Sequence, residues 1–277
     1  MKLSLCNEVL REMTFPEQCA YAAALGYDAL EVAPFTLGDD PHLMGPGDRA
    51  RLREEARAAG VEISGLHWLL LAPAGLTLNG PDKKARDRTV EVMRRLIDLC
   101  ADLGGGYMVH GSPAQRSVAP DDDPGAARER AIASFQAVAG TAEAAGVVYC
   151  VEPLARTETN FINTVAEAVA LVEDIGSPAF KTMIDTRAAT ASEAEPVEDL
   201  LRRWVPSGLI GHVQVNDTNR RGPGQGEVRF AGILAALAGT GYDGVVAVEP
   251  FAYHPDGPAC AARAVGYLRG LLEALEG

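Results

Sequence analysis

A single closed (β/α)8 barrel of the TIM type, spanning residues 1–277, is the fold class this sequence predicts. Short apolar runs alternate with helical stretches about eight times along the chain, the signature of parallel βαβ units. The length of 277 residues also suits this class, which commonly takes about 250. Two internal echoes mark returns from helix to sheet: Gly26-Tyr27-Asp28-Ala29 resembles Gly241-Tyr242-Asp243-Gly244, and Ala59-Gly60-Val61 resembles Ala145-Gly146-Val147. In each, a glycine stands where a helix would stop, and no stretch reads as a linker between domains.

The elements follow in order. Lys2 to Cys6 is a short apolar strand, and Phe15 to Leu25 reads as an alanine-rich helix ended by Gly26. Ala29 to Val32 is the second strand. Asp48 to Ala59 is a charged amphipathic helix closed by Gly60, and Val61 to Leu70 is an apolar strand that carries His67 and Trp68. From Pro81, the spacing of Val90, Met93, Ile97 and Cys100 predicts a long helix stopping at the glycines 104–106. Tyr107 to Val109 is the fourth strand. Asp121 to Asp123 read as first-turn helix charges rather than metal ligands, and the helix from Pro124 ends at Gly146. Val147 to Val151 is a buried strand that turns acidic at Glu152 and is halted by Pro153. Helices are expected from Thr164 to Ile175, Val197 to Trp204, Phe230 to Leu237 and Ala259 to Leu275; strands from Phe180 to Ile184, Leu209 to Val215 and Gly244 to Val248.

Bulk properties narrow the class. A formal charge of −13 argues against binding to a nucleic-acid backbone, which calls for a basic face. Five cysteines without paired spacing suit reduced thiols rather than a disulfide framework. No run approaches the roughly 18 apolar residues of a membrane span, and the N-terminus lacks a long apolar signal region. The expectation is a cytoplasmic enzyme acting on a small molecule, with no membrane or nucleic-acid partner.

In this barrel class, active sites gather at the C-terminal ends of the strands. There the fifth strand brings Glu152, the sixth Asp185 and the eighth Glu249, while the seventh presents His212, Gln214 and Asn216 on one face by its period of two. Alone, each strand-end acid reads as an ordinary loop ion pair. Matching Glu-Pro endings on strands five and eight, with Asp185 between them, read instead as a cation site, because clustered carboxylates repel unless a cation joins them. Oxygen donors with at most one nitrogen suit Mg2+ or Mn2+ better than structural zinc. Weaker candidates are His67, either lining the sugar pocket or a satisfied wall residue, and less persuasively His110, and Arg220 to Gly226 as a phosphate cradle or flexible rim; His254 reads as a surface residue.

The stretches from Glu152 to Asn163, Met183 to Asp185, Gly211 to Asp217 with Asn219-Arg220-Arg221, and Val248 to Phe251 resemble the xylose isomerase-like sugar isomerases and epimerases. The nearest likenesses are the ketose 3-epimerases and the hydroxypyruvate isomerase-type enzymes. The resemblance implies one divalent ion, Mn2+ or Mg2+ with Co2+ as a further candidate, held by Glu152, Asp185, Gln214 and Glu249. It implies that Glu152 and Glu249 are the catalytic acid and base, and that Glu158, His212, Arg220 and His67 contact a carbohydrate substrate. On strand seven, Gln214 is assigned to the metal and His212, one step deeper, to the substrate or to support behind the ligands; the reverse assignment stays open. The resemblance also implies a homodimer or homotetramer. One departure stands out: the Asp-x-x-His of such epimerases is Asp185-Thr186-Arg187-Ala188 here. That leaves room for Arg187 or His212 in the missing role, or for a lyase, a dehydratase or decarboxylase acting on a keto-sugar at the same site.

Overall fold

The computed structural model describes residues 1–276. Eight parallel strands close on one another in chain order: β1 (Lys2–Cys6), β2 (Ala29–Val32), β3 (Glu62–Leu66), β4 (Tyr107–His110), β5 (Val148–Val151), β6 (Phe180–Asp185), β7 (Ile210–Val215) and β8 (Val245–Val248). Closure is made by β1 against β8, with Lys2 opposite Val245 and Leu5 opposite Val248. The strands are almost wholly buried, because helices cover the outside while side chains fill the inside.

Nine α-helices are found among the described residues: α1 (Phe15–Leu25), α2 (Pro46–Ala59), α3 (Lys83–Leu103), α4 (Pro124–Ala145), α5 (Val165–Ile175), α6 (Thr186–Ser192), α7 (Val197–Trp204), α8 (Phe230–Gly239) and α9 (Gly257–Glu276). Their ends follow local chemistry. Thr14 with Glu17, and Thr164 with Glu167, form reciprocal capping boxes that satisfy the first free N–H groups of α1 and α5. Asp123 accepts from Ala126 N at 2.8 Å, so it caps α4 as the acidic run predicted. Gly60 and Gly146, the echo glycines, sit in the left-handed region at φ 87° and 66° and turn the chain back into the sheet.

Most bounds of the strands and α-helices lie within two residues of the sequence reading, but β3 and α6 depart from it. The third strand ends at Leu66 instead of Leu70, since Trp68 adopts φ 51°, which no extended strand can carry. Helix α6 was not expected: the run Thr186 to Ser192 has no apolar period, and what starts it is the Asp185 carboxylate accepting from Ala188 N at 2.7 Å.

Period-two alternation sorts the core. Outward residues such as Tyr149 and Phe180 pack with Phe135 of α4 between barrel and helices. The barrel interior is unusually polar: Ser4, Ser64, Tyr107 and Glu31 are linked hydroxyl to hydroxyl to carboxylate beneath the mouth.

Candidate metal centre and its cavity

Side chains leaving the C-terminal ends of β5, β6 and β8 converge. Glu152, Asp185 and Glu249 each place a carboxylate oxygen within 4.8 Å of the others, and all three are buried. Burial and mutual repulsion push the Glu152 carboxyl well above the usual carboxylate range, with the charges of Glu249 and Asp185 adding to desolvation. Burial likewise raises Asp185 and Glu249. Such a cluster takes up either protons or a cation, and a divalent ion relieves the repulsion of all three.

The neighbours are arranged as supports. Asn216, at the end of β7, donates to Asp185 Oδ2 at 2.8 Å and to the Glu249 carbonyl at 3.0 Å, tying β6 to β8. His67 Nδ1 lies 3.1 Å from Glu249 Oε1 and its Nε2 lies 3.0 Å from Glu8 Oε2, so the ring bridges two acids. Burial alone would depress His67; the charges of Glu8 and Glu31 and the bonds to Glu249 and Glu8 outweigh it and raise it well above the ordinary histidine value. Gln214 donates through Nε2 to Glu31 Oε1 at 2.7 Å. Glu249 Oε2 and Gln214 Oε1 are buried acceptors without a hydrogen-bond partner among the described residues. Two orphaned acceptors on two of the four sequence-predicted ligands, beside a carboxylate cluster, fit a hard divalent cation.

Deeper, Glu31 is fully buried at the end of β2. Burial pushes its carboxyl up, but the charge and contact of His212, the charge of His67 and the Tyr107 hydroxyl together hold it down at about 2. His212 Nε2 stands 2.8 Å from Glu31 Oε2, and its ring stacks on Tyr107 with centroids 4.0 Å apart. His212 therefore does not line the cavity; it is buried beneath it against Glu31 and Tyr107.

Above the carboxylates a cavity opens, walled by Glu152, Glu158, Trp68, Arg187, Arg220 and Phe251, with His67 and Glu249 at its floor. Gly111 keeps the floor open, since a Cβ there would come 1.9 Å from Glu152 Oε2. The predicted site residues Glu152, Glu158, Arg220, His67 and Glu249 thus share one cavity, with Asp185 in the buried cluster beside Glu152 and Glu249, and Gln214 buried on β7 in register with Asp185.

The deciding observation is that residues 19–271 match the description of a xylose isomerase-like TIM barrel. The chain belongs to the xylose isomerase-like TIM barrel family. A D-psicose 3-epimerase of Ruminiclostridium cellulolyticum is 31% identical over 235 residues, covering 83% of this chain and 75% of that protein. A D-psicose 3-epimerase of Agrobacterium fabrum is 30% identical over 237 residues, 83% of this chain and 76% of its own. A crystal structure of D-psicose 3-epimerase in the presence of D-fructose superposes with a TM-score of 0.83 at 25% identity, over 98% of this chain and 99% of that one. These relatives make the chain an enzyme of the isomerase/epimerase class.

Within this family member, several residues near the mouth escaped the sequence reading. Glu8, Glu31 and Tyr107 looked like ordinary positions in or after strands; only a glutamate inside an apolar run signalled anything. Arg116 is fully buried in the loop after β4, and its guanidinium nitrogens have no hydrogen-bond partner among the described residues. Its charge pulls Glu152 back toward ionisation. Arg187 pairs with Glu158 at 2.7 Å and lies 5.1 Å above the Phe251 ring, in the space near the missing histidine. His110 points outward instead, with Nδ1 2.9 Å from the Tyr149 hydroxyl, because it shares the outer face of β4 with Met108. The Arg220 to Gly226 rim is tied down: the Arg220 carbonyl accepts from Phe251 N and Ala252 N, both at 2.8 Å, and Asp217 accepts from Glu227 N and Val228 N. Three non-glycine residues adopt left-handed backbone, Trp68, Ile162 and Arg220 at φ 51°, 62° and 68°, all in loops after β3, β5 and β7. Among the described residues no helix is long and apolar enough to cross a membrane.

Proposed function

We propose that this enzyme is a divalent-metal-dependent epimerase or isomerase of a small keto-sugar, moving a proton at the carbon next to the carbonyl. The observation that carries this reading is the convergence of Glu152 and Glu249, from opposite flanks of Asp185, on one buried cluster under the cavity. A divalent ion, Mn2+ or Mg2+, held by Glu152, Asp185, Gln214 and Glu249, would supply Lewis-acid stabilisation of the charge that develops on the carbonyl oxygen.

The chain's own groups do the remainder. One glutamate removes the proton and the other returns it on the opposite face, which inverts the carbon; return to the neighbouring carbon would give an isomer instead. His67, bonded to Glu249 Oε1, fixes the orientation of that carboxylate. Arg116 steadies Glu152 electrostatically. Glu158, braced by Arg187, and Arg220 offer charged partners to substrate hydroxyls at the mouth, and Trp68 and Phe251 supply an apolar wall. The 3-epimerase names of the relatives support reaction at carbon 3 of a ketose.

The test is NMR in D2O with the Mn2+- or Mg2+-loaded enzyme and a panel of ketoses. Deuterium appearing at the carbon next to the carbonyl, with no other change in mass, is the expected result. Product of lower mass would identify a dehydratase or decarboxylase and replace the epimerase reading.

A further inference from the structure

Gln214 is an unusual candidate ligand, because only one end of its amide can serve a cation. Its two ends are nearly the same size, so packing alone does not choose between them, and a flipped amide would turn an NH2 group toward the ion. Something must decide the orientation, and the interior of the barrel contains it. The Glu31 carboxylate is shared unequally: Oε2 is taken by the Tyr107 hydroxyl and faces His212 Nε2 at 2.8 Å. That leaves Oε1 aimed at Gln214, whose Nε2 it receives at 2.7 Å. In the reverse orientation two oxygens would meet at this distance in a fully buried place, an arrangement with only acceptors and no proton between them. The Cys6 thiol also leans on Oε1, at 3.6 Å, from the next strand.

We infer that Glu31 is a positioning residue of the metal centre: it holds the Gln214 amide with its oxygen turned to the carboxylates, and so completes an all-oxygen donor set. This rests on the proposed metal site. It adds that a residue on β2, across the barrel from β7, governs affinity for the ion without touching it. Supports of this kind commonly contribute about 10- to 100-fold in metal affinity.

The experiment is Mn2+ binding to the metal-stripped full chain, followed by electron paramagnetic resonance and calorimetry, with thermal melting as the control for folding. Wild type should bind about one Mn2+ per chain, as a single-ion site requires; Glu31→Gln should bind about 10- to 100-fold more weakly. In a Gln214→Ala background the same change should have no further effect, because its route to the ion is gone. The swap Glu31→Gln with Gln214→Glu should regain affinity, since either end of the new carboxylate is an oxygen and the new amide can donate to it. If Glu31→Gln fails to fold, Glu31→Asp, which keeps the charge beside His212 but withdraws the oxygen, should weaken binding in the same direction. Unchanged affinity in the folded Glu31 variants, or equal losses with and without Gln214, would overturn the inference while leaving the metal site standing. Wild type that takes up no Mn2+ would overturn both.

Discussion

Glu152 and Glu249 lie just beyond apolar strands, and each is followed by proline, so neither side chain has a flexible backbone beneath it. Replacing either by glutamine keeps the shape and removes the proton carrier of the proposed mechanism. Turnover of either variant should fall by about 10²- to 10⁴-fold with circular dichroism unchanged; near-normal activity in both would refute the two-glutamate mechanism. Gly111→Ala should cost about 100-fold in kcat/KM, since displacing a reacting carboxylate by about 1 Å can do so and the new Cβ would sit 1.9 Å from Glu152 Oε2. The convergence of the three strand-end carboxylates was legible from residue type and strand position; the choice of Gln214 over His212 rested on the family resemblance alone. The supports of these residues were not legible: Glu31 and Gln214 are 183 positions apart, His67 and Glu249 182. Only barrel closure makes such pairs neighbours, and no local pattern announces it. His110, the less persuasive of the two histidine candidates for the pocket, stands on the outer face of β4 against Tyr149, because a strand's register, which decides inside from outside, shifts with one residue.

At the scale of elements, the loop after β5 carries the rim glutamate and then hands the chain to α5. Thr164 accepts from Glu167 N at 3.2 Å, while Glu167 Oε2 accepts from Asn163 N at 2.6 Å. Thr164→Ala should therefore destabilise the protein by about 1 kcal/mol, a fall in melting temperature of roughly 2–4 °C for a chain of this order, with Mn2+ affinity unchanged. A loss of affinity would mean that the cap also holds the loop. Strong periods and strong caps were readable here, and the predicted bounds of α1, α4 and α7 match those found. Helix α6 was silent because its start depends on Asp185, a residue already claimed by the site.

For the whole molecule, the acidic centre makes stability depend on pH in a direction that can be worked out. Asp185 and Glu249 rise from 3.8 and 4.5 to about 6 and about 8, so the folded, metal-free state holds protons that the unfolded chain has released. Stability then falls as pH climbs through that range. Raised His67 acts in the same direction, its contribution being lost as pH rises through its folded value. Buried His110, lowered to about 3, acts oppositely, but only below the ordinary 6.5. Between about pH 6.5 and 8 the site terms agree: the metal-free melting temperature should decline there, and Mn2+ should offset the decline by replacing the protons. Calorimetry at several pH values with and without the ion checks this; a metal-free melting temperature that rises across the window would contradict it. The barrel itself was legible because eight repeated units need no long-range knowledge to be counted. The polar column inside it was not, since its members come from four different strands.

Trp68, Ile162 and Arg220 hold their left-handed backbone at the mouth at a cost of about 1 kcal/mol each. Glycine would relax all three positions, yet two of them are walls of the cavity. Selection for heat tolerance and selection for catalysis therefore pull these positions in opposite directions. A library screened only for thermostability should drift toward glycine or asparagine at Trp68 and Arg220 and lose grip on its substrate as it does so, whereas Ile162, buried in the core, should resist the change because losing its side chain costs more than the strain it relieves.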